Sequence, residues 1–290
     1  MVLGLVAITE VCGSSASASS KSGSTSPSQT SRSGTSTCLD KSPINCENAY
    51  LRGQDLHGRN LTNANFTHAN LAGATLTNAN LVGATLTHAN LAGADLFGAS
   101  LISANLASAT LINANLTEAD FTDGNLQGAN FLHGDLSYAT LNGASLTGAS
   151  LTDANLIGAY LTNANLTNAN LTGAIARSYL TNANLSNANL THANLTNASL
   201  THANLTNASL TNANLTNASL TNANLTNASL TNANLTNANL THANLTHANL
   251  THANLTHASL THASLTNANL TGARFCRTTM ANGRRNNKDC

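Results

Sequence analysis

The sequence predicts an all-β solenoid, a chain wound into a four-sided coil, on three observations. A large apolar residue recurs at every fifth position from Leu51 to Leu171 and again from Leu180 to Leu270, with Phe at 66, 121 and 131 and Phe275 ending the series. Two residues before each stands a small residue, nearly always Ala, so the unit reads Ala–Asn–Leu–Thr–(Asn/His/Gly). The outward composition is also unusual: 8% of residues are charged and 3% aromatic, with no Trp and two Pro. Ordinary globular domains carry roughly a quarter charged residues, so Asn, Thr, Ser and His must build this surface.

A period of five excludes the usual elements. On an α-helix five residues advance about 500°, so successive Leu drift by about 140° and no apolar face forms. In a plain strand an odd period sends successive Leu to opposite faces. The pattern closes only if the chain turns within every unit and keeps Ala and Leu inward. Four such turns give a coil of about 20 residues, stacked like parallel strands roughly 4.8 Å apart, and about 11 coils give a rod on the order of 50–55 Å long. Between Leu171 and Leu180 one residue is missing, through Ala174, Ile175, Ala176, Arg177, Ser178 and Tyr179, so a kink or bulge is expected there. Phe121 and Phe131 are followed three residues later by Gly124 and Gly134, where Ala is the rule, which reads as room made for the rings.

The recurrent Ala-Asn-Leu-Thr-Asn, as at Ala164–Asn168 and Ala213–Asn217, resembles the consensus of the pentapeptide-repeat family over about residues 44–275. That resemblance implies a right-handed quadrilateral β-helix with Leu and Ala inside; the handedness comes from the resemblance alone. The closing segment, from Phe275-Cys276-Arg277 to Asp289-Cys290, resembles the C-terminal cap of secreted bacterial members.

Residues 1–18 read as a degenerate signal segment: Val2–Val11 is apolar but interrupted by Glu10, and Ala16-Ser17-Ala18 fits a cleavage site. Residues 19–37 form a Ser-rich linker, 38–50 an N-terminal cap, 51–275 the rod and 276–290 a C-terminal cap. Cleavage after Ala18 would remove Cys12 and leave Cys38, Cys46, Cys276 and Cys290. Local pairs Cys38–Cys46 and Cys276–Cys290 are expected, although four Cys allow three connectivities. Such bridges would staple the ends of the solenoid, where unpaired edges invite aggregation. Together these features favour a secreted or extracytoplasmic location.

Ten of the eleven His share the position two after the Leu, among them the run from His242 to His262. Neighbours in that run occupy successive faces and point apart; only His242 and His262 stack, which makes a weak metal site at best. Asn ladders such as Asn184, Asn204, Asn224 and Asn244 can hydrogen-bond along the stack. The flat Thr array resembles ice-binding surfaces, although Thr occurs on all four faces. The consensus also produces Asn-Leu-Thr sequons, including Asn60, Asn115, Asn165, Asn189, Asn234 and Asn254. Ala72, Ala92, Ile112 and Leu132 should line one face, and Val82 and Ile102 another, as apolar ladders able to seat a partner or a second copy.

Charge excludes more. Residues 60–273 hold Arg177 as their one cation against Asp95, Glu118, Asp120, Asp123, Asp135 and Asp153. Family members that mimic DNA need a duplex-like density of negative charge, which six acids cannot supply. The rod lacks the basic stripe of a nucleic-acid binder, so no nucleic-acid partner is expected. No apolar run reaches the length of a membrane span. There is no nucleophile elbow, no H-E-x-x-H and no phosphate-cradling Gly loop, so neither catalysis nor a cofactor is expected. The remaining reading is an extracellular scaffold with an unknown protein or carbohydrate partner. Its alternative is a module for a repetitive surface, ice or polysaccharide.

Overall fold

The computed structural model describes residues 38–290. The expectations for residues 1–37, the signal segment, the linker and Cys12, lie outside them. From Asn45 to Thr279 the residue before each core Leu forms a parallel bridge to its counterpart one coil on, as in Asn184↔Asn204↔Asn224↔Asn244. The sheet is therefore built of single-residue bridges, and among the described residues extended strands occur only in a C-terminal hairpin, β1 (Thr278–Thr279) and β2 (Arg285–Asn286).

Each corner is a tight turn. In a representative unit the Ala64 N–H donates to the Leu61 carbonyl at 3.1 Å, across Thr62 and Asn63. Asn63 has φ 55°, and Thr62 is not among the residues of positive φ. A positive φ at the third residue alone is the type II turn, which favours Gly or Asn there. The position two after Leu is accordingly filled by Asn, His, Gly, Ser or Asp almost throughout. Asn, Asp and His tolerate the left-handed region better than other non-glycine residues.

Four corners make four faces. The first carries the ladder Asn70, Asn90, Thr110, Asn130; the second Thr75, Asp95, Asn115, Asp135; the third Ser100, Asp120, Thr140, Tyr160; the fourth Asn65, Thr85, Asn105, Asn125. The core is a column of buried Leu, Ala and Phe from Leu39 to Ala263, capped by buried Ala273 and Phe275. Among the described residues no buried side-chain nitrogen or oxygen lacks a hydrogen-bond partner.

One local expectation needs correction and another a refinement. The missing residue produces neither kink nor bulge in the ladders: Ile175 bridges Asn155 and Asn194, and Tyr179 bridges Tyr160 and Ser199. One corner absorbs the loss. Ala176 takes the central place, Arg177 the next, and buried Ser178 directly takes the place of the following Ala. The omitted residue is the left-handed one, and the Ser178 hydroxyl donates to the Ala176 carbonyl at 3.3 Å across the shortened corner. At Gly124 a Cβ would meet the carbonyl oxygens of Phe121 at 2.9 Å and Ala104 at 3.5 Å, not a ring. Backbone oxygens are thus the nearest neighbours of a Cβ at Gly124, so crowding by the turn adds to the room the ring needs.

The chain bonds back across both ends, although Leu265, Ala268 and Leu270 near the C-terminal one stay only partly buried. Cys46 occupies the first central position, and Arg59 donates to the Leu39 carbonyl at 3.2 Å. At the other end the Phe275 N–H donates to an Asp289 carboxylate oxygen at 2.7 Å, and the Thr278 hydroxyl donates to the Leu255 carbonyl at 2.6 Å.

Candidate functional site

What the rod offers to a partner is its outer surface, and most of that surface is already bonded to itself. In a typical unit the Asn234 side-chain oxygen accepts from the Thr236 N–H at 3.1 Å and from its hydroxyl at 2.6 Å. Its amide nitrogen donates to the Thr216 hydroxyl one coil below, at 3.0 Å. Thr216 in turn donates to Asn214 at 2.6 Å. These are relays of Asn to Thr to Asn up a face. Direct Asn-to-Asn steps also occur, as from Asn204 to Asn184 at 3.1 Å. The expected Asn ladders are thus largely Asn–Thr ladders: Asn224 donates to Thr206 and Asn244 to Thr226. The sequon residues Asn165, Asn189, Asn234 and Asn254 belong to the same network, which accounts for their motif without a glycan. Asn60 and Asn115 also accept from the Thr two residues on.

A second ladder runs up the corners, where the left-handed Asn join: Asn207 donates to Asn187 at 3.0 Å and Asn217 to Asn197 at 3.1 Å. Where His replaces Asn in adjacent coils, the rings stack instead. His242 and His262 lie with centroids 5.0 Å apart at 17°, and His68 and His88, a pair the sequence reading overlooked, at 4.9 Å and 4°. His247, His252 and His257 sit on the intervening corners. Among the described residues no three His, Cys, Asp or Glu side chains gather as a metal site would require.

The apolar ladders fall where the coil register puts them. The Gly73 N–H donates to the Ala92 carbonyl, Gly93 to Ile112 and Asn113 to Leu132, so Ala72, Ala92, Ile112 and Leu132 ascend one corner as half-buried neighbours. Gly83 donates to Ile102, which puts Val82 below Ile102 on another corner. Cys38 and Cys46 lie at bridging distance, Cα–Cα 5.2 Å, and so do Cys276 and Cys290 at 4.7 Å.

The surface also holds a group that the sequence reading left unassembled. Tyr138, Tyr160 and Tyr179 are 57%, 45% and 50% exposed and lie in three consecutive coils, on the third face or its leading edge. The Tyr160 and Tyr179 rings stack at 4.9 Å and 9°. Register across the shortened corner, 19 residues instead of 20, is what aligns them, and a count by fives alone does not show it.

These features define a self-bonded four-sided β-solenoid whose chemistry is all on the outside. The family model for pentapeptide repeats matches overlapping stretches from residue 44 to 282, and its matches pause between 173 and 178, at the shortened corner. The chain belongs to the pentapeptide-repeat family, whose members are right-handed quadrilateral β-helices.

Among solved structures it is similar to HetL, a pentapeptide repeat protein involved in heterocyst differentiation regulation in the cyanobacterium Nostoc sp. strain PCC 7120. That likeness is 36% identity over 76% of this chain and 92% of the other, with a TM-score of 0.28. It is also similar to QnrB1, a plasmid-mediated fluoroquinolone resistance protein, at 21% identity over 59% and 88% with a TM-score of 0.48. A pentapeptide repeat protein of the Arabidopsis thaliana thylakoid lumen shares 35% identity over 33% and 63%, with a TM-score of 0.23. No curated protein matches. Among the described residues no helix is long and apolar enough to cross a membrane.

Proposed function

We propose that this chain is a non-enzymatic, extracytoplasmic interaction scaffold, a stiff spacer that presents a few non-repetitive side chains to a protein partner. The observation carrying this reading is the commitment of the Thr hydroxyls. Where Asn precedes the Leu, the hydroxyl donates to it at 2.6–2.7 Å and accepts from the next coil at about 3.0 Å; where Ser precedes it, Thr pairs with a Ser of the next coil, as Thr211 with Ser229 at 3.0 Å. A Thr array saturated this way rigidifies the rod and offers little to an ice lattice or a glycan. Recognition then falls to the exceptions, and the ladder of Ala72, Ala92, Ile112 and Leu132 is the apolar one. The cysteine pairs at both ends support an oxidising compartment. Intact-mass and peptide mapping of the native protein tests that part: Cys38–Cys46 and Cys276–Cys290 are expected, and four free thiols there would overturn export.

The near-identical ladders after residue 180, for example Asn194, Asn214, Asn234 and Asn254, favour a second reading, a module for a repetitive surface. Thermal hysteresis and glycan-array binding of the purified chain separate the two. The scaffold reading expects neither; a clear signal in either replaces it.

A further inference from the structure

Between Asn60 and Ser259 the third face is uniform Ser and Asn except across four coils. Its ladder runs Ser100, Asp120, Thr140, Tyr160, Tyr179, Ser199. The leading edge of this face carries, coil by coil, Glu118, then Tyr138, then Ile157 with Gly158, then Arg177. The backbone bonds Glu118 to Ser137, Tyr138 to Ile157 and Gly158 to Arg177 fix that order. The trailing edge carries Asp123 in the Asp120 coil and Asn182 in the Tyr179 coil. Three of the six acids between residues 60 and 273 thus share one coil of this face, and the only cation of that stretch lies three coils further up. Among the described residues neither Glu118 nor Arg177 has an ion-pair partner, and both are exposed.

We propose that this face binds a second copy of the chain, the two rods antiparallel, about a dyad that crosses the face between the Thr140 and Tyr160 coils. Such a dyad lies in the plane of contact and keeps each edge opposite itself while it reverses the coil order. Arg177 then meets the partner's Glu118, opposite charges on matching edges. Tyr179 meets the partner's Asp120, whose second carboxylate oxygen is left over after the first accepts from Thr122. Tyr160 stands over the partner's Thr140, so the tall half of each face fills the low half of the other. Tyr138 leans over Gly158 of its own chain, which puts its ring at the level of the dyad, against its own copy. Further out the match continues without tall residues: Ser100 opposite Ser199, Asn80 opposite Ser219, Asn60 opposite Asn239.

A parallel pairing fails on the same residues. It sets Glu118 against Asp123 and Asp120 against Asp120, like charges whose juxtaposition is costly, and stands Tyr160 and Tyr179 against themselves. A slip of one coil breaks the Arg177–Glu118 pairing and the fit of tall to low together.

Sedimentation equilibrium on the full chain tests this, with circular dichroism to verify the fold of each variant. A dimer is expected, with Glu118→Arg and Arg177→Glu each weakening it by about ten-fold or more and the double variant returning to within about three-fold of the parent. Tyr138→Cys, at the dyad, should cross-link covalently under mild oxidation, whereas Asn217→Cys, on the same edge but far from it, should not. A chain that stays monomeric at about 100 μM, a double variant no better than the singles, or equal cross-linking at the two positions would overturn the proposal.

Discussion

At the scale of the residue, the unit is decided by one backbone dihedral as much as by the buried Leu. The position two after Leu has φ near +58° along the regular half, 58° at Asn217. From the sequence alone the alternation of Asn, His and Gly there reads as surface interchange; the turn shows that all three share tolerance of the left-handed region. Asn217→Val should therefore destabilise by about 1–2 kcal/mol more than Asn217→Gly, although both lose the bond to Asn197. Denaturant melts of the two variants check this. Gly124 makes the complementary point: an added Cβ would lie 2.9 Å from a backbone oxygen that cannot swing away. Gly124→Ala should cost about 1–3 kcal/mol, whereas Ala is accepted at the equivalent Ala69 behind Phe66. Rescue of Gly124→Ala by a smaller core residue, Phe121→Leu, would restore the ring-volume reading.

At the scale of the element, a corner can lose a residue without disturbing the sheet. The ladder bonds lie at the faces, and the turn between them is the flexible part of the account. Removing the left-handed residue draws Ala176 and Ser178 together, and the smaller Ala then suffices where Leu stands elsewhere. An Asn inserted between Arg177 and Ser178 should restore a full corner but leave Ala in a Leu-sized site, a cavity costing about 2–5 kcal/mol. The same insertion combined with Ala176→Leu should recover most of that. Thermal unfolding of the two variants side by side decides it; no rescue would mean that the core there is not leucine-sized. The spacing of nine between Leu171 and Leu180 was legible. Its consequence was not, because a sequence shows the omission without showing whether the stack or the turn absorbs it.

At the scale of the molecule, each coil touches only the coils above and below, so stability is a sum of units and nearest-neighbour terms. Deleting Leu200–Ser219, one full coil, joins Ser199 to Leu220 in the original register. The product should fold as a rod shorter by about 5 Å in small-angle scattering, with little loss of stability, and an unfolded product would contradict the additive picture. The pairing of two rods through the third face belongs to this scale as well, since it uses residues from Glu118 to Tyr179 that no single unit contains.

The five-residue period determined the architecture by itself, because only a chain that turns once per unit can bury Leu and Ala at that spacing. The all-β coil, the order of its faces and the stacking of His242 on His262 all follow from counting. Tertiary structure decided what depends on neighbours a coil apart: that Thr and Asn consume one another's hydrogen bonds, and that a 19-residue coil brings Tyr160 and Tyr179 together. The physical reason is that the period sets which way a side chain points, while its partner is chosen by the register of the next coil, and register at Ala176–Ser178 is resolved only when the backbone closes.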